Sequence, residues 1–250
     1  MNLGNVKLNT KPNYDGLTIT VEAQTVGFNL QASGQWRYVV QRHQTVLQAT
    51  LHTKNIELML QQLGVKQPPI VGGQSQFTLN TYWQNAPHLF ELSKVTGTLS
   101  LAIMEGNLVD IEPGTVGRLF GLFDVYTLPR RLALDFKDVF HKGFGFNAIA
   151  GVFFLKNGIA DTKHLILQAP SARVEISGKT NLMKQTYQQI ITIFPQISNP
   201  LPIAGALAGG IGGGLAALVI QQLLQAELEQ VLKFQYQMTG PWDKPNIAPL

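Results

Sequence analysis

The stretch Thr98-Leu99-Ser100-Leu101-Ala102-Ile103 alternates small or polar residues with larger apolar ones. Because successive side chains of a β-strand point to opposite faces of a sheet, this period of two predicts a half-buried strand. The same alternation recurs at Leu17-Thr18-Ile19-Thr20-Val21, at Phe77-Thr78-Leu79 and at Arg131-Leu132-Ala133-Leu134-Asp135-Phe136. The sequence therefore predicts a mainly β protein.

Further strands are predicted from Phe144 to Phe154, from Ile159 to Leu167 and from Arg173 to Ser177. Turn sequences separate them, namely Lys156-Asn157-Gly158 and Ala169-Pro170-Ser171. Asn-Gly pairs favour tight hairpin turns, and Pro and Ser favour other turns. No regular alternation of strand and helix runs through this region, so we expect an antiparallel meander rather than a parallel nucleotide-binding sheet.

Three helices are predicted, and two of them are short. The first runs from Asn55 to Leu63 and ends before Gly64, and the second runs from Thr115 to Phe123. Gly64 stands where glycine commonly follows a helix, and Thr115 offers an N-cap to the second helix. The third is longer and lies between Pro202 and Leu232, where apolar residues near its end fall on one broad helical face.

The segment from Gln185 to Ala226 contains no charged residue and no histidine. Within it, Leu201 to Ile220 is apolar throughout, is long enough to cross a bilayer core, and is rich in glycine, which disfavours a helix. Three interpretations stay open: a buried or groove-plugging helix and loop, a segment that contacts or enters a membrane, and a flexible linker.

The composition excludes several classes of function. Charged residues make up 14% of the 250 residues, and the net charge is +4, which is too sparse a basic surface for a nucleic-acid-binding protein. No cysteine is present, so disulfides, thiolate metal sites and a cysteine nucleophile are excluded. Residues Met1 to Lys7 lack the features of a secretory signal, so the chain is either cytosolic or a fragment, and we expect a fragment.

The sequence offers no catalytic constellation. Gly178-Lys179-Thr180 has the end of a phosphate-binding loop, but Arg173 stands where that motif requires a glycine. The five histidines are scattered without the spacing of a helical metal site, and no Gly-x-Ser-x-Gly motif occurs. We therefore expect a protein that is not an enzyme and that has no metal and no cofactor.

A loosely basic stretch contains Arg118, Arg130 and Arg131 together with nearby lysines, and it is offset by Asp124, Asp135 and Asp138. The planar guanidinium of arginine suits phosphate oxygens, so these three arginines are candidates for contacts with lipid headgroups. The alternative is that they hold a turn in place.

The stretch Gly117 to Phe123, followed by Leu128 to Phe136 and by Phe140 to Phe146, resembles the C-terminal region of the YhdP family, within the AsmA-like (AsmA/TamB) superfamily. The resemblance continues through Ala172 to Gly178, through the glycine-rich segment and through the closing Thr239-Gly240-Pro241-Trp242-Asp243-Lys244-Pro245. It covers residues 90 to 250 well and residues 1 to 90 only in general texture.

This resemblance implies an extended, twisted antiparallel sheet that forms an open, taco-like groove, with a few short helices and a longer C-terminal helix. It implies a periplasmic protein whose full-length form is anchored in the inner membrane, and which carries phospholipid between the inner and outer membranes. The chain would be a single β-groove region spanning residues 1–250, with the glycine-rich segment and helix at 201–232 inside it.

Strands with one apolar face need a cover, and few amphipathic helices are available to supply it, so lipid tails are a candidate cover. The predicted groove wall consists of Leu99, Leu101, Ile103, Leu132, Leu134, Phe136, Phe144, Phe146, Val152, Phe154, Leu165, Leu167, Val174 and Ile176. The alternative for each residue is an ordinary core position in a closed sandwich or barrel. One error in register would exchange the two faces.

Phospholipid is the expected partner, with contact to the outer membrane or to an envelope protein, and no nucleic acid. The alternative function is a non-enzymatic scaffold for envelope or outer-membrane assembly, which would bind a protein partner by strand addition at a sheet edge.

Overall fold

The computed structural model describes residues 3–109, 144–195, 221, 223 and 233–250. Twelve strands in these residues form one antiparallel sheet, and each strand lies beside the strand that precedes it in sequence. The strands are β1 (Asn5–Asn13), β2 (Gly16–Gln24), β3 (Asn29–Val39), β4 (Arg42–Thr53), β5 (Ile70–Trp83), β6 (Thr96–Leu108), β7 (Phe144–Lys156), β8 (Ile159–Gln168), β9 (Ala172–Asn181), β10 (Thr186–Pro195), β11 (Phe234–Pro241) and β12 (Asn246–Pro249). The antiparallel meander is thereby confirmed.

The sheet is open. Within the described residues β1 pairs with β2 alone and β12 pairs with β11 alone, so the first and last strands do not meet. Consecutive strands connect at alternate edges of such a meander, so every second turn lies on the same edge. The β1–β2, β3–β4, β5–β6, β7–β8, β9–β10 and β11–β12 connections lie at the same end of the strands. We call this end the first edge of the sheet and the opposite end the second edge.

The predicted hairpin turn between β7 and β8 is confirmed. Lys156 pairs with Ile159, and Asn157 and Gly158 between them have φ angles of 53° and 72°. Two consecutive positive φ values define a type I′ turn, whose twist matches that of the flanking strands. The predicted turn at Ala169 to Ser171 joins β8 to β9, and the Ala169 N–H donates to the Ala172 carbonyl oxygen at 2.9 Å.

The first predicted helix is confirmed as α1 (Ile56–Gln62). The Asn55 side chain accepts a hydrogen bond from the Leu58 N–H at 3.1 Å, which satisfies one free donor of the first turn. Ile56, Met59 and Leu60 are buried, and their spacing places them on one face of the helix. A 3-10 helix at Leu92–Lys94, between β5 and β6, was not predicted.

The other two predicted helices and one predicted strand fall wholly or largely outside the described residues. These are the helix from Thr115 to Phe123, the strand from Arg131 to Phe136, and the longer helix between Pro202 and Leu232. Of that longer helix, residues 221 and 223 are described and are helical, so a long C-terminal helix is not shown.

Candidate functional site

The strand register separates the sheet into two unlike faces. Paired residues of neighbouring strands point to the same face, and alternate residues of one strand point to opposite faces. We call the face that carries Leu99, Leu101 and Ile103 the apolar face, and the other the opposite face. Charged and amide side chains such as Lys7, Glu22 and Gln31 occupy the opposite face in β1 to β3.

One row of the apolar face crosses all twelve strands without a charged residue or a side-chain amide. Each member pairs with the next across neighbouring strands. In strand order this apolar row is Val6, Ala23, Leu30, Leu51, Phe77, Leu101, Gly151, Leu165, Ile176, Ile191, Tyr236 and Pro249. At about 4.8 Å between strands, the row extends over roughly 50 Å.

Tyr236 brings the only hydroxyl group into this row. Burial raises the pKa of Tyr236 above its ordinary value of 10.0, because an apolar surrounding disfavours the charged phenolate. The row therefore stays uncharged at physiological pH.

The neighbouring row is apolar in its first seven strands and partly polar beyond them. It begins with Leu8, Val21, Ala32, Ala49, Leu79, Leu99 and Phe153, in strand order. Farther along, Gln189 donates a hydrogen bond from Nε2 to Thr180 Oγ1 at 2.8 Å, so these buried polar groups partner each other.

Exposure of the apolar face changes along the strand order. Leu30, Leu51 and Phe77 are half-buried, whereas Leu101 and Leu165 are each 1% exposed. The face is thus partly open to solvent over β1 to β5, closed from β6 to β11, and exposed again at Pro249 in β12. Since each fully buried aliphatic side chain contributes about 1.5–3 kcal/mol, the closed part is the stable core of the described sheet.

Helix α1 covers the apolar face at the second edge of the sheet, beside β5 and β6. Its residues Ile56, Met59 and Leu60 belong to one apolar cluster with Ile103. The helix approaches β5 closely at Gly73, where an added methyl group would lie 3.4 Å from Ile56 Cγ2.

Aromatic side chains line the first edge of the apolar face. Trp36 Nε1 donates a hydrogen bond to His43 Nδ1 at 3.0 Å, and the Tyr38 ring lies 4.6 Å from the His43 ring. Nearby, Trp83 and Phe90 make an edge-to-face contact at 5.5 Å. The Trp, Tyr and His rings each carry a polar atom, so they form a polar-tipped border to an apolar surface.

A cavity of about 300 Å³ lies between this border and the sheet. Its walls include Ile19, Val21, Leu47, Trp83 and Phe90. The cavity is lined mainly by carbon, contains no charged residue among its lining side chains, and is continuous with the half-open part of the apolar face.

The opposite face also carries a small apolar cluster, over β6 to β8. Ala102, Met104, Ala148, Ala150 and Ile166 pack there with Leu223, which is 1% exposed. Leu223, which is helical, therefore contacts the sheet on the face that lies away from the apolar row.

The structure brings eight of the predicted wall residues together on one surface. Leu99 is half-buried and packs against the apolar cluster, and the other seven belong to it as buried members. The eight residues are Leu99, Leu101, Ile103, Phe146, Leu165, Leu167, Val174 and Ile176. Leu132, Leu134, Phe136, Arg118, Arg130 and Arg131 lie outside the described residues, as does the side chain of Phe144.

Val152 and Phe154 lie on the opposite face, away from the other predicted wall residues. Phe154 pairs with Thr98 and is 51% exposed, and Val152 packs with the Ala102 cluster. Strict alternation from Phe146 would place both on the apolar face. The alternation changes phase between Phe146 and Ile149, which both belong to the apolar cluster although they are three residues apart.

This change of phase crosses three strands at the same level. Gly73 in β5 and Glu105 in β6 have φ angles of 77° and 54°, and the register between neighbouring strands skips Gly73, Glu105 and Asn147 at this level. Because all three strands shift together, the register between them is preserved. A single-strand pattern does not reveal such a coordinated irregularity.

Several apolar-face residues were missed from the sequence, among them Leu30, Leu51, Phe153 and Ile191. Ile191 had a readable signal, because Tyr187, Ile191 and Ile193 share one parity within the uncharged segment that begins at Gln185. The sequence did not indicate that Phe153 rather than Phe154 points to the apolar face, because the two adjacent residues are identical.

Among the described residues, no three His, Asp or Glu side chains stand close enough together to bind a metal ion. In the same residues, no helix combines the length and the apolar character needed to cross a membrane.

The family model described as "YhdP protein" matches residues 1–247. The chain is 28% identical over 236 residues to the intermembrane phospholipid transporter YhdP of Escherichia coli (strain K12). The matched stretch covers 93% of this chain and 18% of that protein. The chain thus spans about a fifth of the length of this relative. No solved structure matches the chain.

Proposed function

Because the chain belongs to the YhdP family, we propose that its apolar face binds phospholipid and forms one section of a path along which phospholipid moves between two membranes. The relative in E. coli is named an intermembrane phospholipid transporter. That activity belongs to a much longer protein, so we assign this chain a section of the path.

The observation that carries the proposal is the unbroken apolar row through all twelve strands, from Val6 to Pro249. Over β1 to β5, where the row is partly open, an acyl chain that moves along the row meets apolar surface at every strand. The free energy of burying apolar surface is roughly proportional to the buried area and does not depend on direction. No single position along the row therefore binds the acyl chain much more tightly than the next. Movement along the row would therefore need no catalytic residue.

The half-open part of the face, over β1 to β5, is where lipid tails would have access. Leu30, Leu51 and Phe77 are half-buried there, and the 300 Å³ cavity beside Trp83 adds apolar volume. We propose that this part of the sheet is the wall of an open, taco-like groove, and that bound lipid tails cover the apolar side chains that the protein leaves partly exposed there.

Headgroups would stay at the edges of the groove, because burial of an unpaired charge is costly. Trp36, Tyr38 and His43 offer polar ring atoms at the first edge. Arg118, Arg130 and Arg131 remain predicted headgroup contacts. We place the chain in the periplasm, as a section of a longer protein anchored in the inner membrane and reaching toward the outer membrane.

A second candidate function is a scaffold that binds an envelope protein. Strand β1 supports it, because all nine residues are exposed and one side of its backbone lacks a strand partner among the described residues. Such an edge can accept an added strand.

Site-specific photo-crosslinking separates these functions. A photoreactive amino acid replaces Leu79 on the apolar face or its neighbour Asn80 on the opposite face, in chain produced in a Gram-negative host. Position 79 should yield phospholipid adducts and position 80 should yield few, as mass spectrometry of the purified protein would report. Equal labelling at both positions, or protein adducts without lipid, would contradict the phospholipid path.

A further inference from the structure

Exposed apolar residues stand at the tips of successive hairpins along the first edge of the sheet. Tyr14 in the β1–β2 turn is fully exposed, Val40 in the β3–β4 turn is 87% exposed, and Met183 in the β9–β10 turn is 57% exposed. Leu89 and Phe90, in the β5–β6 connection, are 49% and 56% exposed. We call these five residues the apolar tips.

The arrangement of the apolar tips differs from ordinary surface scatter. Single exposed apolar residues are common on proteins, but these lie at four of the six strand connections along one edge. With strands about 4.8 Å apart, the four hairpins extend along roughly 40 Å of that edge. A linear set of this kind fits an extended planar partner.

The β3–β4 turn contains residues that its backbone conformation does not favour. Val40 and Gln41 have φ angles of 51° and 58°, the values of a type I′ turn, which favours Asn and Gly. A β-branched residue is disfavoured in this left-handed region and adds an exposed apolar surface as well. Local strain at an exposed position points to a constraint outside the fold.

Basic residues accompany the apolar tips. Arg42, Lys156 and Lys184 flank three of the hairpin turns and form no ion pair with the residues that the structure describes.

The acidic residues at this edge already have cationic neighbours. Asp15 lies 3.9 Å from Arg37, Glu91 lies 2.6 Å from Lys94, and Asp243 is adjacent to Lys244 in the β11–β12 turn. The edge therefore has a surplus of positive charge.

We propose that the apolar tips dock this edge of the sheet onto an anionic phospholipid bilayer. Tyrosine and phenylalanine suit the boundary between headgroups and acyl chains, and Lys and Arg beside them are attracted to anionic headgroups. The docking surface consists of hairpin tips outside the apolar row, so it goes beyond the proposed path.

Phe90 connects the two surfaces. It is exposed among the apolar tips and also lines the 300 Å³ cavity beside Trp83. Because the first edge runs parallel to the apolar row, a bilayer held at this edge would lie beside the half-open part of the apolar face. This section of the path would then be the one where lipid enters from that bilayer or leaves to it. This link, unlike the docking itself, rests on the proposed function.

The decisive variant is Val40→Asn combined with Gln41→Gly. These residues suit a type I′ turn, so the variant should keep or raise the thermal unfolding temperature. Its matched control is Val26→Asn, because Val26 is 93% exposed in the β2–β3 turn at the second edge of the sheet.

Vesicle flotation is the measurement, with phosphatidylcholine vesicles that contain or lack phosphatidylglycerol. The unaltered 250-residue chain should bind the anionic vesicles more tightly than the neutral ones, and Val26→Asn should bind as the unaltered chain does. Val40→Asn/Gln41→Gly combined with Tyr14→Ser should weaken binding at least about tenfold, which corresponds to about 1.4 kcal/mol.

Two outcomes would overturn the docking surface: no binding of the unaltered chain to anionic vesicles, or full binding by the folded tip variant. Phospholipid that co-purifies with each variant is measured in parallel. Bound lipid without vesicle docking would contradict the docking surface and support the phospholipid path. Docking without bound lipid would support the docking surface and contradict the path.

Discussion

Arg173 Nη1 donates a hydrogen bond to the carbonyl oxygen of Leu223 at 2.6 Å, across fifty residues of sequence. The Arg173 side chain is almost fully buried on the opposite face, and its Nη2 lies 2.6 Å from Glu175 Oε1. A buried guanidinium needs such partners, because its charge is costly to remove from water. Arg173 thus holds the helical residue Leu223 against β9.

The substitution Arg173→Met should loosen the contact of Leu223 with the sheet and lower the free energy of unfolding by about 2 kcal/mol, as expected for the loss of hydrogen bonds to a charged group. The chain has no cysteine, so a Leu223→Cys thiol reports burial directly. Maleimide should label this thiol slowly when Arg173 is present and much faster when Arg173→Met is combined with it. A Gln221→Cys thiol, at an exposed position, should label rapidly in both backgrounds. Equal protection of position 223 in the two backgrounds would show that Arg173 does not hold that position against the sheet.

Residue patterns predicted the meander well, because alternation and turn chemistry are local. The alternation in Phe77-Thr78-Leu79 predicted a strand and the pair Asn157-Gly158 predicted a turn, and the structure has a strand and a turn at these positions. The Arg173 to Leu223 contact could not be predicted in this way. It joins two segments whose separation in sequence says nothing about their distance in space.

The predicted groove wall is correct where successive side chains of a strand alternate regularly between the two faces of the sheet. Leu99, Leu101 and Ile103 share the apolar face because β6 is regular there. Val152 and Phe154 were misplaced because the phase changes near Asn147, where β5, β6 and β7 shift together. Only the packing of neighbouring strands determines which of Phe153 and Phe154 points inward.

Ile191 and Ile190 provide a matched test of the two faces. Ile191 is 1% exposed in the apolar row, whereas its neighbour Ile190 is 41% exposed. Ile191→Ala should reduce the free energy of unfolding by about 2–4 kcal/mol, since it leaves a cavity in the core. Ile190→Ala should cost less than about 1 kcal/mol. Urea denaturation measures both, and similar losses for the two variants would contradict the assigned register of β10.

Gly178 should not tolerate a side chain. Its φ angle is 120°, and a methyl group there would collide with the carbonyl oxygen of Gln188 in β10. Gly178→Ala should therefore destabilise the sheet by about 2 kcal/mol or more. Gly145→Ala, where the nearest atom is the side-chain oxygen of Asn107 at 3.1 Å, serves as the control in thermal unfolding. A Gly178→Ala protein as stable as its control would show that the backbone there relaxes freely.

His52 should make stability depend on pH. It is half-buried on the opposite face, beside a cavity of about 560 Å³, and burial lowers its pKa below the ordinary value of 6.5 because desolvation disfavours the imidazolium. The unfolded chain therefore binds the proton more readily than the folded chain. The contribution of neutral His52 to stability is fully present above pH 6.5 and is lost as the pH falls through the folded pKa.

His52→Gln removes this titration, so the difference in urea midpoint between the unaltered chain and the variant should change with pH, from above neutrality to about pH 5. Other titrating groups are common to both proteins and cancel in that difference. The unaltered chain should lose more stability on acidification than the variant. Parallel curves would mean that His52 is as well solvated in the folded sheet as in the unfolded chain.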